Sequence, residues 1–288
     1  MDAANTQRAL QARSAGLPPP ARIGIYPETK HPSYFAKAGF EFDTPMLEAL
    51  GRHGYQRRTD PCWIQSFEVG NLKALRKRTD LPLVQLIEPR GQPFDFTLSG
   101  DKRSYADLLG DAGLKEIAGY ADAIAPHKWM VVQFQDGKML DTGLALRARV
   151  AGLGVHVWTL RAENEFLPPD LKSSDDPSAK GDMRKEIYAL LDAHISGFFS
   201  DHADVAVAAR DAWFDTHLKP LGIVARREKA ADLRAIAQGL DLTFQESDVP
   251  GNDKVVRFEF SISERDRPRL LNAIPMDVFA YRGYIDTP

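Results

Sequence analysis

The chain has little that would tie it to a partner through crosslinks, a membrane or a strong field. Its single cysteine, Cys62, excludes an intrachain disulfide framework and a thiolate zinc cluster. No run of about eighteen apolar residues occurs, so no membrane-spanning helix is expected. Met1 to Pro20 lacks the basic start and apolar stretch of a secretory signal, and the chain as written reads as soluble and without an address. A formal net charge of −3 over 288 residues gives no field that would draw it to nucleic acid or to an anionic surface. Partners therefore have to be argued from sites. Hydrophobic residues make up 43% of the chain, enough for one large domain, or a large domain with a small one.

Short apolar runs rich in β-branched and aromatic residues alternate with longer amphipathic stretches. The runs are Arg22–Tyr26, Cys62–Phe67, Pro82–Ile87, Ala123–Ala125, Val155–Leu160 and Ile195–Ser200. Between them the spacing predicts helices over Met46–His53, Val69–Arg78, Ser104–Tyr120, Gly143–Leu153 and Met183–His194, with Gly54 and Gly154 as glycines placed just past a helix. Repeated strand–helix units imply a parallel sheet with helices outside it, an α/β barrel or a doubly wound sheet. Leu167–Asp182 is rich in Pro, Ser and Asp, yet the alternation continues on both sides of it. It reads as a long strand-to-helix loop.

The pattern changes near Asp215–Pro220, where the boundary of a second domain is expected. From Gly222 the order is strand (Gly222–Ala225), helix (Lys229–Leu240), strand (Leu242–Gln245), strand (Lys254–Ile262), helix (Arg267–Ile274), strand (Val278–Tyr284). Val256, Phe258, Phe260 and Ile262 alternate with Arg257, Glu259 and Ser261, as in a strand with one buried face. Asp248–Asp253 is a turn-rich connection. This βαββαβ order is the ferredoxin-like arrangement. From His217 to Pro288 eleven basic residues face eleven acidic ones, which weakens a nucleic-acid reading.

Glu28 and Lys30 stand two residues apart in Tyr26-Pro27-Glu28-Thr29-Lys30 at the end of a strand, so they share one face at one mouth of the sheet. Sites of α/β proteins gather at that mouth. A carboxylate there can hold a hard divalent cation, and a lysine can neutralise a phosphate oxygen. An exposed Glu-x-Lys with no ligand is the alternative.

Ordered blocks extend this signal: Ile25-Tyr26-Pro27-Glu28-Thr29-Lys30-His31-Pro32, Gln65-Ser66-Phe67-Glu68, Leu83-Val84-Gln85-Leu86-Ile87, Tyr120-Ala121-Asp122-Ala123-Ile124-Ala125-Pro126, Val157-Trp158-Thr159-Leu160-Arg161 and Gly197-Phe198-Phe199-Ser200-Asp201. From about Arg22 to Arg210 the chain resembles the glycerophosphodiester phosphodiesterase family in its longer, periplasmic-type bacterial branch. The resemblance implies a TIM-like barrel, a Ca2+ or Mg2+ ion at its C-terminal face, and hydrolysis of a phosphodiester such as glycerophosphocholine to an alcohol and glycerol 3-phosphate. It casts Glu28 as a metal carboxylate and Lys30 as the phosphate-side lysine. Gln65, Ser66, Phe67 and Gln85 fall in matching substrate-side blocks, and Trp158 is a wall for the glycerol end, or else a core residue. His127 and Lys128, just after a strand, could reach an anionic substrate.

Ahead of Glu28 the chain shows none of the family's His-Arg-Gly, Glu-x-Asp or His-Asp blocks, which carry both acid–base histidines and two metal carboxylates. His31, His53 and His156 read as structural or solvated and not as substitutes. One carboxylate is a poor start for calcium, which takes about six to eight oxygens, so bound metal is expected to be weak or absent and Glu28 to pair with Lys30. Loss of a general acid or base costs about 10²–10⁴-fold each. His202-Ala203-Asp204 stands where the family has Phe-Pro-Asp, which should loosen the last loop.

The expectation is therefore an incomplete TIM-like (β/α) barrel over 1–215, open on one side, followed by a ferredoxin-like domain over 216–288. It belongs to a phosphodiesterase lineage without a complete catalytic set. The catalytic N-terminal part would be missing through gene truncation, a wrong start or separate encoding. The ligand would be a phosphodiester or glycerol 3-phosphate, and the partner, in the last case, a separately encoded N-terminal fragment, with no nucleic acid and no membrane span. The compartment would be cytoplasmic as written, or periplasmic if a further segment carries a signal. The alternative is a scaffold or regulatory protein acting through the C-terminal domain. That domain resembles the regulator of ribonuclease E activity B family in Asp232–Ala237 and Val255–Ile262, and no function is carried over from it.

Overall fold

The computed structural model describes residues 2–14, 21–263, 265–275 and 277–280. The chain divides into two compact units, Met1–Ala206 and Val207–Pro288. In the first, helices α1 (Asp2–Ser14), α2 (Pro32–Lys37) and α3 (Asp43–Arg52) precede strand β1 (Ile64–Ser66). Then come α4 (Val69–Arg76), β2 (Leu83–Ile87), α5 (Phe94–Ser99), α6 (Tyr105–Leu108), α7 (Asp111–Ala118) and β3 (Ala123–Pro126). The hairpin β4 (Val132–Gln135) and β5 (Lys138–Asp141) follows, then α8 (Leu144–Val150), β6 (Gly154–Leu160), α9 (Met183–Asp192), β7 (Gly197–Ser200) and α10 (Ala203–Thr216). The last helix runs across the division between the units.

Strands β1, β2, β3, β6 and β7 form one parallel sheet in that order. Ile25 and Glu28 add a further parallel segment against Cys62 and Gln65. Among the described residues nothing pairs with the outer edge of that segment or of β7, so the barrel is incomplete. Alternation sorts the side chains. Ile64, Leu83, Ile124, Val155 and Val157 are fully buried on the helix side. Val84, Leu86, Ala123 and Ala125 face inward, with Tyr26, Trp63, Phe67 and Trp158 packed on them.

Three local expectations change. The helix expected over Ser104–Tyr120 is two helices, because Gly110 takes an extended N-cap conformation (φ −67, ψ 161) that starts α7 afresh, after a Ser104–Asp107 capping box has opened α6. The glycine past α8 is Gly152, at φ 87, while Gly154 opens β6. The β4–β5 hairpin was missed, although Asp136 (φ 50) and Gly137 (φ 73) are the Asp-Gly pair that such a turn requires.

Leu167–Asp182 does link β6 to α9. Its order comes from Asn164, which is 1% exposed. The Asn164 amide donates to the Ser174 and Asp176 carbonyls (2.9 and 2.8 Å), and its oxygen accepts from Ser173 N (3.0 Å).

The second unit contains β8 (Leu218–Arg226), α11 (Ala230–Gly239), β9 (Phe244–Val249), β10 (Asn252–Ser263) and α12 (Asp266–Ala273). β10 lies antiparallel between β8 and β9, and Phe279 pairs with Ala225 on the far side of β8. This is the ferredoxin-like order. Tyr281–Tyr284 of the last expected strand lie outside the described residues. The expected six-residue connection shrinks to Pro250-Gly251, with Gly251 at φ 76. Leu221, Ile223, Leu233, Phe258, Phe260 and Leu270 make a core of this unit's own. No described helix of either unit is long and apolar enough to cross a membrane.

Candidate functional site

A cleft of about 590 Å³ opens among the loops that follow the parallel strands of the first unit. The first segment supplies Glu28, Lys30 and His31, β1 and its loop supply Gln65, Phe67 and Glu68, and β2 and its loop supply Leu86, Glu88, Arg90 and Gln92. Phe94, Tyr105, Trp158, Thr159 and Phe199 complete the wall. Trp158 packs edge-on against Phe67, ring centroids 6.1 Å apart, and donates through Nε1 to the Ala125 carbonyl (2.8 Å). That hydrogen bond fixes the face it turns to the cleft.

Two buried oxygens in this cleft, Oε1 of Glu28 and Oε1 of Gln65, have no hydrogen-bond donor among the described residues. An unpaired buried acceptor costs about 1–3 kcal/mol. An acceptor left open in this way takes its donor from a water, an ion or a ligand. Lys30 is exposed, and no salt bridge joins it to Glu28, so the expected Glu28–Lys30 pair does not form. Both side chains are left facing the cleft.

The strand end that carries Glu28 is held from below. Thr29 Oγ1 donates to Asn71 Oδ1 (2.7 Å), and Asn71 Nδ2 donates to Asp43 Oδ1 (2.9 Å). Glu68, 1% exposed, accepts from Ser33 N (3.1 Å) and from the Ser33 hydroxyl, tying the first turn of α2 to the end of β1. Burial pushes the Glu68 carboxyl above its ordinary range, and the Ser33 hydrogen bonds oppose that shift. His31, just before α2, holds a left-handed backbone (φ 50, ψ 48) and lines the cleft.

Of the residues singled out in the sequence, Glu28, Lys30, Gln65, Phe67 and Trp158 come together in this cleft. Ser66, Gln85 and Lys128 do not line it. Ser66 points to the opposite face from Gln65 and Phe67, is fully buried, and accepts from Glu68 N (3.2 Å). Gln85 is fully buried, donating to the Phe67 and Leu86 carbonyls (both 3.0 Å) and accepting from Tyr120 Oη (2.9 Å). Lys128 is 2% exposed, and its ammonium is engaged by Glu186 Oε2 and the Phe166 carbonyl, both at 2.8 Å. An ammonium held in that way is not available to a ligand.

His127 stacks edge-on against Trp158 (5.1 Å), and burial, then the charge of Lys128, lowers its pKa. His156 lies inside the sheet with its Nδ1 2.7 Å from Tyr26 Oη. The loop that carries His202 is joined to the end of β6 by contacts of Asp201 and His202. Arg161 pairs with Asp201 (2.6 Å), and Ala162 N donates to His202 Nδ1 (3.3 Å).

The sequence reading missed Glu68, Glu88 and Arg90. For the last two the signal was alternation: Leu86, Glu88 and Arg90 share parity and line the cleft, and Gln85 does not.

The open oxygens of Glu28 and Gln65 are hard donors of the kind calcium or magnesium takes. Among the described residues no group of three His, Cys, Asp or Glu is placed to hold a metal ion.

A parallel, helix-flanked (β/α) sheet with carboxylates, a lysine and an aromatic wall at the mouth after its strands defines a barrel-type protein with a polar cleft. The chain belongs to the glycerophosphoryl diester phosphodiesterase family, whose profile matches residues 10–205. It is 30% identical over 203 residues to a glycerophosphodiester phosphodiesterase of Arabidopsis thaliana, covering 65% of this chain and 51% of that one. It is 26% identical over 207 residues to a glycerophosphodiester phosphodiesterase of Haemophilus influenzae, covering 65% and 52%. A third, from Treponema pallidum, is 26% identical over 170 residues, covering 54% and 47%. The chain thus spans about half the length of the relatives it matches.

Proposed function

We propose that the Glu28 cleft binds a glycerophosphodiester or glycerol 3-phosphate, and that this chain alone does not hydrolyse the diester. The supporting observation is that Glu28, Lys30, Gln65 and Trp158, from three separate strand ends, line one cleft in which two buried acceptors lack donors. Lys30 neutralises a phosphate oxygen. Glycerol hydroxyls donate to Gln65 Oε1 and Glu28 Oε1, and Trp158 and Phe67 flank the carbon chain.

Hydrolysis needs a group to take a proton from water and another to give one to the leaving alcohol. Among the described residues that line the cleft there is a single imidazole, that of His31. The reading is therefore of the periplasmic-type branch, with an additional ferredoxin-like domain over 216–288, in which this chain holds a binding half without a full acid–base set.

Two measurements test this. Glycerophosphocholine incubated with the full chain and calcium or magnesium should give no glycerol 3-phosphate above background, and titrated glycerol 3-phosphate should perturb Trp158 fluorescence. Turnover abolished by Glu28→Ala would show that the residues present suffice. Loss of binding in neither Lys30→Ala nor Glu28→Ala would place the ligand elsewhere.

A further inference from the structure

Arg90 stands in the cleft with no partner among the described residues. It follows β2 on the loop Glu88–Gln92, and no ion pair holds it, although Arg76, Arg103 and Arg161 elsewhere in the unit each lie against a carboxylate. Its backbone is fixed all the same. Gly91 adopts φ 81, its carbonyl accepts from Tyr105 N (3.0 Å), and Gln92 Nε2 donates to Thr97 Oγ1 and the Asp101 carbonyl (3.1 and 3.2 Å). The loop is thus set in place before any ligand arrives, which lowers the ordering cost of binding.

Among the described residues Lys30 is the other cation of the cleft without an ion-pair partner. β1 lies between their two strands, so their strand ends stand about 10 Å apart, a span two long cationic side chains can close on one phosphate. Three carboxylates share the cleft, but Glu68 is committed to Ser33. That leaves Glu28 and Glu88 formally balanced by Lys30 and Arg90, and neither carboxylate is paired to either cation.

From this arrangement we infer that Arg90 is a second phosphate ligand and that, with Lys30, it makes the cleft selective for a phosphate monoester over a diester. A planar guanidinium can take two oxygens of one phosphate at once. A monoester offers three terminal oxygens and close to two negative charges at neutral pH, whereas a diester offers two oxygens and one charge. Esterifying the third oxygen removes both the charge and the acceptor that a second cation would use. The inference rests on the reading of the Glu28 cleft given above, and it names which side of the diester reaction that cleft holds better.

The test is calorimetric titration of the full chain with glycerol 3-phosphate and with glycerophosphocholine, at low salt with a chelator present, for the wild type, Lys30→Ala and Arg90→Ala. Arg90 and Lys30 are exposed, so both variants keep the fold, and circular dichroism verifies it. The expected result is monoester binding about tenfold tighter than diester binding in the wild type, a preference largely lost in Arg90→Ala, and weakening of both ligands in Lys30→Ala. If Lys30→Ala weakens binding and Arg90→Ala does not, or weakens both ligands equally, the inference is overturned and the cleft reading stands. If the wild type binds neither ligand, or neither variant matters, both fail.

Discussion

His156 shows how a single side chain is decided by its surroundings. It sits on β6 facing inward, packed edge-on against Trp63 (4.9 Å) and hydrogen-bonded to Tyr26, and burial lowers its pKa to about 4. In the unfolded chain the imidazole titrates near 6.5. Between those values the unfolded state binds a proton that the native state refuses, so the contribution to stability is complete above about pH 6.5 and is lost as pH falls toward about 4. The expected loss is on the order of 3 kcal/mol across that window. Glu68 and Glu186, whose carboxyls burial pushes up, act in the opposite sense. Urea midpoints near neutrality and near pH 4.5 should therefore be compared between wild type and His156→Gln, and the variant should have the flatter profile. Equal slopes would mean that His156 accepts a proton in the native state. The sequence showed only that this histidine lies on a strand whose alternation could bury it. Part of what buries it is Tyr26, 130 positions away, and no local pattern links the two.

At the scale of elements, the buried pair Lys128–Glu186 fastens the turn after β3 to helix α9. Trp129 Nε1 donates to Glu186 Oε1 (3.2 Å), and Lys128 also donates to the Phe166 carbonyl in the loop after β6. Three chain segments meet at one ion pair that is 2% and 0% exposed. Removing one partner leaves an uncompensated buried charge, so Lys128→Ala should cost about 3–5 kcal/mol in urea unfolding, and Lys128→Met with Glu186→Leu should recover most of it. A loss below about 1 kcal/mol would mean that water reaches the pair. From the sequence Lys128 looked like a ligand for an anionic substrate, because it follows a strand at the correct mouth. What redirected it is a carboxylate 58 residues later on the inner face of α9. The same distinction runs through β1 and β2, where Gln65 and Phe67 reach the cleft but Ser66 and Gln85 turn away, Ser66 to the Glu68 amide and Gln85 to the Phe67 carbonyl after the neighbouring strand.

For the whole molecule, each unit carries its own buried cluster, so two cooperative units are expected. Scanning calorimetry of the full chain should resolve two transitions, and a single one with equal calorimetric and van't Hoff enthalpies would show one cooperative unit. Alternating apolar strands and amphipathic helices were enough to predict a parallel sheet, because strand and helix periods are local properties of the chain. The βαββαβ order was readable for the same reason, and Glu28 and Lys30 could be assigned to one face by their spacing alone. Tertiary structure alone decided which polar side chains remained free. Gln65 and Glu28 keep oxygens without donors, and Lys30 and Arg90 keep charges without partners, while Gln85, Ser66 and Lys128 find theirs. The physical reason is that a hydrogen bond or an ion pair forms at about 3 Å between groups that may be far apart along the chain. Its presence or absence is set by packing across the sheet.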